Sequence, residues 1–244
     1  MNLNAKRSVR YVGRAVIILL LVSALSSCED TNCIKGEGNI ETRTLNLQPF
    51  SRVEANGDFK VYLTQGEVQQ VEVKGEPNIL DQLETSISNG TWEIEHRECV
   101  RQSKPVEVYI TMPLVQSLYL NGSGLISSQS AFRASELAVE VNGSGKVDVE
   151  VEAIKVITRV TGSGEVLLHG YAPLHSVMIS GSGRAEAFDL QAENVTVNIS
   201  GSGVAEVSAS DALAAEISGS GIVYYQGNPS VTKTISGSGK VVKK

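Results

Sequence analysis

Acidic side chains close to a basic one are the groups that could cleave a polysaccharide, because glycoside hydrolysis uses two carboxylates and other sugar-cleaving sites hold clustered acids around Ca²⁺. Glu186, Glu206 and Asp148 could share one face with Arg184. Neither an Asp pair nor an aromatic platform for a sugar ring accompanies them, and the single Trp lies elsewhere in the chain. These residues favour a protein that is not an enzyme.

The histidines and the known short motifs also argue against catalysis. His96, His169 and His175 are too dispersed for a metal or nucleophile motif, and we expect them at surface or loop positions. The patterns His-Glu-x-x-His and Gly-x-Ser-x-Gly are absent from the sequence, as is the calcium-binding nonapeptide pattern of some β-helices. We therefore expect no cofactor and no metal.

A repeated Gly-Ser-Gly tripeptide dominates the sequence and must position any functional residue. Most of its copies recur at intervals of 18 to 21 residues, which is typical of solenoids whose turns stack on one another. The tripeptides begin at Gly122, Gly143, Gly162, Gly181, Gly201, Gly219 and Gly237.

Apolar and polar residues alternate on both sides of each tripeptide. Leu137, Val139 and Val141 precede one of them, and Val147 and Val149 follow it. A period of two indicates strands, and both glycines continue the inward phase. Since glycine has no Cβ and tolerates positive φ, we expect a narrow or sharply bent place in each coil.

Stacked coils would place two polar columns on the outside. One is a candidate surface ladder made by the serine of each tripeptide: Ser123, Ser144, Ser163, Ser182, Ser202, Ser220 and Ser238. The other is made by the residue before each tripeptide: Asn121, Asn142, Thr161, Ser180, Ser200, Ser218 and Ser236.

Charged side chains would also stack in columns. Lys146, Glu165 and Arg184 follow successive tripeptides, so opposite charges on neighbouring strands could form ion pairs. Glu186 and Glu206 would stack as like charges, which predicts either a solvated edge or a cation site.

Residues 49–116 are rich in strand-like runs but contain no Gly-Ser-Gly. Strands are predicted over 59–64, 71–74, 92–95 and 106–112, with a short helix within 77–85. The segment Asn56-Gly57-Asp58 resembles a degenerate repeat. This part is either a cap on the repeat solenoid of residues 117–244 or a separate small β domain, and the sequence leaves both open.

The N-terminus has the layout of an export signal, because basic residues lead into the apolar run 15–22, which is too short to span a bilayer. Leu25-Ser26-Ser27-Cys28 resembles the lipobox of bacterial lipoproteins, in which the Cys receives a diacylglycerol and becomes the new N-terminus. We therefore predict a signal peptide over 1–27, lipidation at Cys28 and a tether over 28–48.

The residues after Cys28 bear on the compartment. Glu29 and Asp30 resemble the surface-export signal of lipoproteins from the Bacteroidetes group, or they begin a solvated acidic tether. Removal of residues 1–27 takes four of the 21 basic residues and none of the 27 acidic ones, which leaves a formal net charge of −10 (17 − 27). Such a charge argues against nucleic acid as a partner.

The two other cysteines, Cys33 and Cys99, would lie in an oxidising compartment. A bond between them would close a loop of 66 residues (99 − 33) and stabilise the fold by roughly 4 kcal/mol. The sequence alone does not decide whether they pair.

Several segments together resemble one known family. They are Phe50-Ser51-Arg52-Val53, Val61-Tyr62-Leu63-Thr64-Gln65-Gly66, Val71-Glu72-Val73 and the Gly-Ser-Gly coils. Over residues 50–240 the chain resembles the "putative auto-transporter adhesin, head GIN domain" family. The resemblance implies an all-β, right-handed parallel β-helix, often exported and lipid-anchored, and its name suggests adhesion. It supplies no catalytic residues.

These observations favour a lipid-anchored, non-catalytic binding module of the cell envelope, at the surface or periplasmic face of the outer membrane. The expected partners are the membrane, through the anchor, and a polysaccharide or a matrix or envelope protein. A structural envelope scaffold and a β-helical carbohydrate-active enzyme are the alternatives.

Overall fold

The structure is a computed structural model that describes residues 33–244. The predicted signal peptide, Cys28 and the residues up to 32 lie outside the described residues. Between residues 33 and 244, helices long and apolar enough to cross a membrane are absent. Residues 34–244 form one compact unit.

Short strands and one helical turn make up the N-terminal part of this unit. The helix begins at Pro77, whose missing N–H costs nothing at a first helical position. The elements are β1 (Ile34–Lys35), β2 (Glu41–Leu45), β3 (Arg52–Gly57), β4 (Lys60–Gln65), β5 (Gln70–Gly75), α1 (Pro77–Leu80), β6 (Ile87–Ser88), β7 (Thr91–Ile94), β8 (Val100–Arg101) and β9 (Glu107–Met112).

Longer strands, several of them bent through a corner, make up the repeat part. They are β10 (Ser117–Gly122), β11 (Leu125–Ser128), β12 (Phe132–Gly143), β13 (Lys146–Gly162), β14 (Glu165–Tyr171), β15 (Leu174–Gly181), β16 (Arg184–Gly201), β17 (Val204–Gly219), β18 (Ile222–Gln226), β19 (Ser230–Gly237) and β20 (Lys240–Lys243).

The repeat strands pair in parallel with the strands one coil away, which confirms the predicted parallel β-solenoid. Each coil has two faces joined at a glycine corner. The first face comprises the strand segments that end at the first glycine of each tripeptide, and the second face comprises the segments that begin after its second glycine. Interior side chains such as Leu118, Val139, Val177 and Val197 are buried in a continuous stack.

The glycine corner packs successive coils too closely for any side chain. At Gly181 the backbone has φ +115°, and an added Cβ would lie 2.6 Å from the carbonyl oxygen of Gly162. The amide of Ser182 donates to that same oxygen at 2.8 Å, so the contact cannot open without loss of a hydrogen bond. The second glycine, Gly183, is buried, and a Cβ there would overlap Val160.

The N-terminal part continues the stack. β3 and β4 pair in parallel with β10 and β11, and Gly57 lies in register with Gly122. Phe59 takes the place of the second glycine, since the amide of Leu125 donates to its carbonyl. The buried Phe59 ring stacks on His96 with centroids 4.8 Å apart, so an aromatic ring fills the corner at this end of the coils.

The remaining N-terminal strands cover the outer side of this first coil. β7 and β9 pair in parallel with β3 and β4, and β5 and β2 follow β9 in antiparallel pairings. Antiparallel strands and the α1 turn, whose Ile79 is buried, therefore follow the parallel stack at this end.

Part of the segment predicted as a tether is folded. β2 pairs with β5 although it carries only one strongly apolar residue, Leu45, because an edge strand needs little apolar surface. β1 pairs with β8 in a separate two-stranded sheet. Beside that sheet, Cys33 and Cys99 are both disulfide-bonded.

One polar pair lies inside the coils. The ring of His175 and the hydroxyl of Thr158 are buried, and Thr158 Oγ1 lies 3.0 Å from His175 Nε2. The prediction of surface or loop positions was therefore wrong for His175, and His96 is also partly covered beneath Phe59. A hydrogen bond between the two polar groups offsets the cost of burying them, which periodicity alone does not reveal.

This pair predicts an acid-sensitive solenoid. Burial lowers the pKa of His175 to about 4, so the folded chain resists a proton that the unfolded chain takes up near 6.5. The contribution of the neutral His175 to the free energy of unfolding is fully present above pH 6.5. It is lost as the pH drops towards 4, by up to about 3 kcal/mol. Urea unfolding measured at several pH values checks this.

A double variant isolates the contribution of His175. Thr158→Val with His175→Leu removes both polar partners together and should reduce the dependence between pH 4 and 6.5, while His96, whose pKa burial also lowers, keeps a part of it. His169→Gln, at an exposed histidine near Asp148 and Asp189, should leave it as in the wild type. An unchanged slope in the double variant would refute this assignment.

Candidate binding groove

Short polar side chains line the first face just before the glycine corner. Each lies in register with its neighbour one coil away and is exposed, as the stacking of the coils predicts. Their spacing is that of adjacent strands, about 4.8 Å. We call it the hydroxyl column, because five of its seven residues are serine or threonine; it consists of Asn121, Asn142, Thr161, Ser180, Ser200, Ser218 and Ser236.

A groove of about 390 Å³ follows the middle of the hydroxyl column. Thr161, Ser180, Ser200 and Ser218 line it. Serine and threonine are shorter than the residues two positions earlier in each strand, so the column leaves a depression along the coils. The groove therefore presents hydroxyl groups at regular intervals.

Larger side chains form a second column along the same groove. Arg159, Met178, Asn198 and Glu216 stand two residues before the hydroxyl column on successive strands. Arg159 pairs with Glu140 on the neighbouring coil. The groove thus has a cation towards one end, an acid at the other and an apolar and an amide side chain between them.

This second column was not predicted from the sequence. Its signal was present, because the residues recur three positions before the first glycine of each tripeptide. Their types vary from coil to coil, so composition gives no pattern, and only their register positions place them together.

A smaller groove of about 300 Å³ lies on the first face near the N-terminal part. Arg52, Glu54, Tyr119 and Glu140 are among its lining residues. Burial, together with the neighbouring Glu93, raises the pKa of Glu54. Because Tyr119 and Glu140 continue the column of Arg159, the same face carries polar groups over most of its length.

The serine ladder of the tripeptides lies at the glycine corner itself. All of its serines are exposed, and their amides donate to the first glycine of the previous coil, as from Ser144 to Gly122 and from Ser202 to Gly181. None of these serines lines the 390 Å³ groove. The hydroxyl column, rather than the tripeptide serines, therefore contributes to the groove.

The charged column on the second face forms only part of the expected ion pairs. Lys146 Nζ lies 3.5 Å from Glu165 Oε2, as the stacking predicts. Arg184 instead contacts Glu186 at 3.4 Å and Glu206 at 3.7 Å. Its guanidinium thus lies between the two stacked carboxylates, where a cation site was one expectation.

The acids considered for catalysis do not converge in one place. Burial, together with Glu165, raises the pKa of Glu186, but its neighbours Arg184 and Glu206 complete an ion-paired set. Asp148 contacts His169 and Lys146 instead. Within residues 33–244, no group of three or more His, Cys, Asp and Glu side chains is arranged to hold a metal ion.

Tyrosines provide aromatic surfaces that were not expected from the sequence. Tyr62 and Tyr109 stack on the second face with ring centroids 5.0 Å apart. A hydrogen bond to Glu107 raises the pKa of Tyr109 to about 12. Tyr171 is exposed at the other corner of the coils. These tyrosines were not singled out from the sequence, because Tyr62 and Tyr109 are far apart along the chain and only the strand register brings them together.

Residues 49–229 match a family described as "putative auto-transporter adhesin, head GIN domain". No curated protein matches the chain.

Three crystal structures have the same fold. A putative adhesin from Bacteroides fragilis shares 24% identity and a TM-score of 0.82 over 86% of this chain and 100% of its own. A protein described as a putative lipid-binding protein from Parabacteroides distasonis shares 24% identity and a TM-score of 0.73 over 87% and 100%. A putative adhesin from the same species shares 21% identity and a TM-score of 0.74, over 87% of this chain and 100% of its own. Such identities establish likeness of fold.

Proposed function

Because the chain belongs to the head GIN domain family of putative auto-transporter adhesins, we propose that it is a non-catalytic binding module of the cell envelope, held to the membrane by lipid on Cys28. Its first face binds a polysaccharide along the hydroxyl column. The observation that carries the proposal is the groove of about 390 Å³ lined by in-register hydroxyls.

The geometry suits an extended, repeating ligand. A polysaccharide offers hydroxyl groups along its whole length, and each can exchange a hydrogen bond with a serine or threonine hydroxyl, which both donates and accepts. The sugar units and the hydroxyls of the column then both recur along the groove. Several weak hydrogen bonds act together, and the affinity grows with the length of polysaccharide that is bound.

The charges of the chain support a ligand without strong negative charge. The mature chain carries an excess of acidic residues, and along the groove Arg159 is already paired with Glu140. A polyanion would meet net repulsion here, whereas a neutral or weakly charged polysaccharide would not.

The alternative of a carbohydrate-active enzyme finds less support. The stacked carboxylates Glu186 and Glu206 lie on the second face and share Arg184. The residues of the groove on the first face include one carboxylate, Glu216, whereas glycoside hydrolysis uses two.

Bulky side chains in the groove test the proposal. Ser180→Tyr with Ser200→Tyr fills the middle of the hydroxyl column and should lower the affinity for a bound polysaccharide at least tenfold. The matched control is Ser182→Tyr with Ser202→Tyr, which adds the same volume at the glycine corner outside the groove. Retention of both variants on an immobilised polysaccharide panel gives the comparison.

The two variants separate three outcomes. Loss in the first variant alone supports the groove. Loss of binding in the control alone would place the site on the tripeptide serines. Binding by both variants as strong as that of the wild type would contradict a site in the groove. Circular dichroism of both variants confirms that the substitutions, which lie at exposed positions, leave the coils folded.

A further inference from the structure

Large apolar side chains cluster at the corner where the second face ends and the next first face begins. Ile154, Tyr171 and Leu174 are 62%, 45% and 43% exposed, and together they are called the Tyr171 corner. Elsewhere between residues 33 and 244, exposed large apolar residues are scattered along the chain. Single exposed apolar residues are ordinary, but three at one corner form a patch.

The register places these side chains side by side. Tyr171 pairs with Glu152, and Leu174 pairs with Lys155. Ile154 lies two residues after Glu152, and Pro173 lies two residues after Tyr171. Ile154 and Pro173 are therefore neighbours on adjacent coils, and Leu174 follows directly. The patch therefore extends over two coils.

The Tyr171 ring is held in place and flanked by hydrogen-bonding groups. Its hydroxyl donates to Glu193 Oε1 at 3.1 Å, which anchors the far end of the ring. Glu152 lies in register on one side and Gln191 on the other, each about one strand spacing away. An oriented aromatic ring between a carboxylate and an amide can stack on the C–H face of a sugar while its neighbours bond the hydroxyls.

We propose that the Tyr171 corner is a second binding site, for a neutral saccharide. The sugar ring stacks on Tyr171, with Gln191 and Glu152 as hydrogen-bond partners of its hydroxyls. This site is separate from the groove on the first face and stands without it.

The charges around the patch favour a neutral ligand. Glu152 pairs with Arg133 and Lys155 pairs with Glu136, both at 3.0 Å. Glu193 remains beside the ring and would repel an acidic sugar.

A protein partner suits this patch less well. A stable protein interface covers about 800 Å² on each partner and has few charged residues at its centre. Here ion-paired residues lie directly beside the three apolar side chains, within the distance of one strand. The apolar surface instead has the extent of a few side chains, which matches one or two sugar rings.

The test uses the mature chain with ¹³C-labelled tyrosine and a panel of neutral oligosaccharides based on glucose, mannose, galactose and xylose. We expect one member to shift the ring signals of Tyr171, assigned from the Tyr171→Phe variant. Tyr171→Ala should weaken the affinity for it about tenfold, which corresponds to the loss of a stacking interaction. Tyr171→Phe, which keeps the ring but loses the bond to Glu193, should lose less.

Tyr109→Ala is the matched control, because Tyr109 is 40% exposed and its hydroxyl also donates to a carboxylate, Glu107. It should bind as the wild type does. An absence of Tyr171 shifts with every member of the panel, or equal weakening by both alanine variants, would overturn the proposal. Loss of self-association in Tyr171→Ala, without any sugar effect, would assign the patch to a protein contact instead. The Ser180→Tyr, Ser200→Tyr variant should keep the Tyr171 shifts, so failure of the groove leaves this site testable.

Discussion

Alanine in place of Gly181 is expected to destabilise the solenoid by more than about 4 kcal/mol, at the upper end for a single substitution. The added Cβ would lie 2.6 Å from the carbonyl oxygen of Gly162, which belongs to the backbone of the neighbouring coil and cannot rotate away as a side chain could. The φ of +115° adds strain for any residue with a side chain. Urea unfolding followed by circular dichroism measures the loss.

Gly90→Ala separates the steric effect from the backbone strain. Gly90 also has a positive φ, +73°, but nothing lies within 4 Å of an added Cβ. Alanine there should cost on the order of 1 to 2 kcal/mol, from the left-handed conformation alone. If Gly181→Ala costs no more than Gly90→Ala, close coil packing at the glycine corner is not what requires glycine.

Gly181→Ala should also divide the unfolding transition into two steps. In stacked repeats each coil contacts only its neighbours, so damage in the middle acts first on the coils around it. Trp92 is buried in the N-terminal part and reports on that end by fluorescence. In Gly181→Ala we expect circular dichroism to change at lower urea than Trp92 fluorescence, whereas both probes coincide in the wild type.

Loss of the disulfide is the second large effect. We propose that Cys33 and Cys99, both disulfide-bonded, bond to each other, which closes 66 residues (99 − 33). The double variant Cys33→Ser with Cys99→Ser should then lose roughly 4 kcal/mol, mainly because its unfolded state is less constrained. Urea unfolding with and without a reductant tests this, and the reductant should affect the wild type but not the variant.

A local measurement accompanies the global one. The amides of Ile34 and Gly36 donate to the carbonyls of Cys99 and Arg101, each at 2.9 Å. Without the bond this two-stranded sheet has few contacts to hold it, so these two amides should exchange with solvent faster than those of β10. A wild-type stability that does not respond to reductant would contradict the proposed pairing.

The repeat part of the fold was predictable because one physical constraint recurs in every coil. Glycine at two fixed positions and apolar residues at every second position specify the corner, the strands and the register at once. Even the degenerate copy at Gly57 was visible, since Asn56 and Phe59 keep the spacing although the second glycine is absent.

The irregular parts were not predictable for equally physical reasons. β2 pairs at an edge, where polar side chains suffice, so its sequence resembles a tether. Thr158 and His175 fill two interior positions as a hydrogen-bonded pair, which the alternation of apolar residues does not encode.

The candidate site was predictable only in part. The hydroxyl column followed from the repeat, but the groove depends on side-chain lengths in a second column, from Arg159 to Glu216. The exposed ring of Tyr171 depends on a corner that carries no tripeptide.

The central claim is that this envelope protein binds a polysaccharide and does not cleave it. The most direct test passes the purified domain without Cys28, residues 29–244, over immobilised polysaccharides and matrix proteins and assays the same samples for released oligosaccharide. We predict retention on at least one polysaccharide with no release, and loss of retention in the Ser180→Tyr, Ser200→Tyr variant. Release of oligosaccharide, or retention on matrix proteins alone, would contradict the claim.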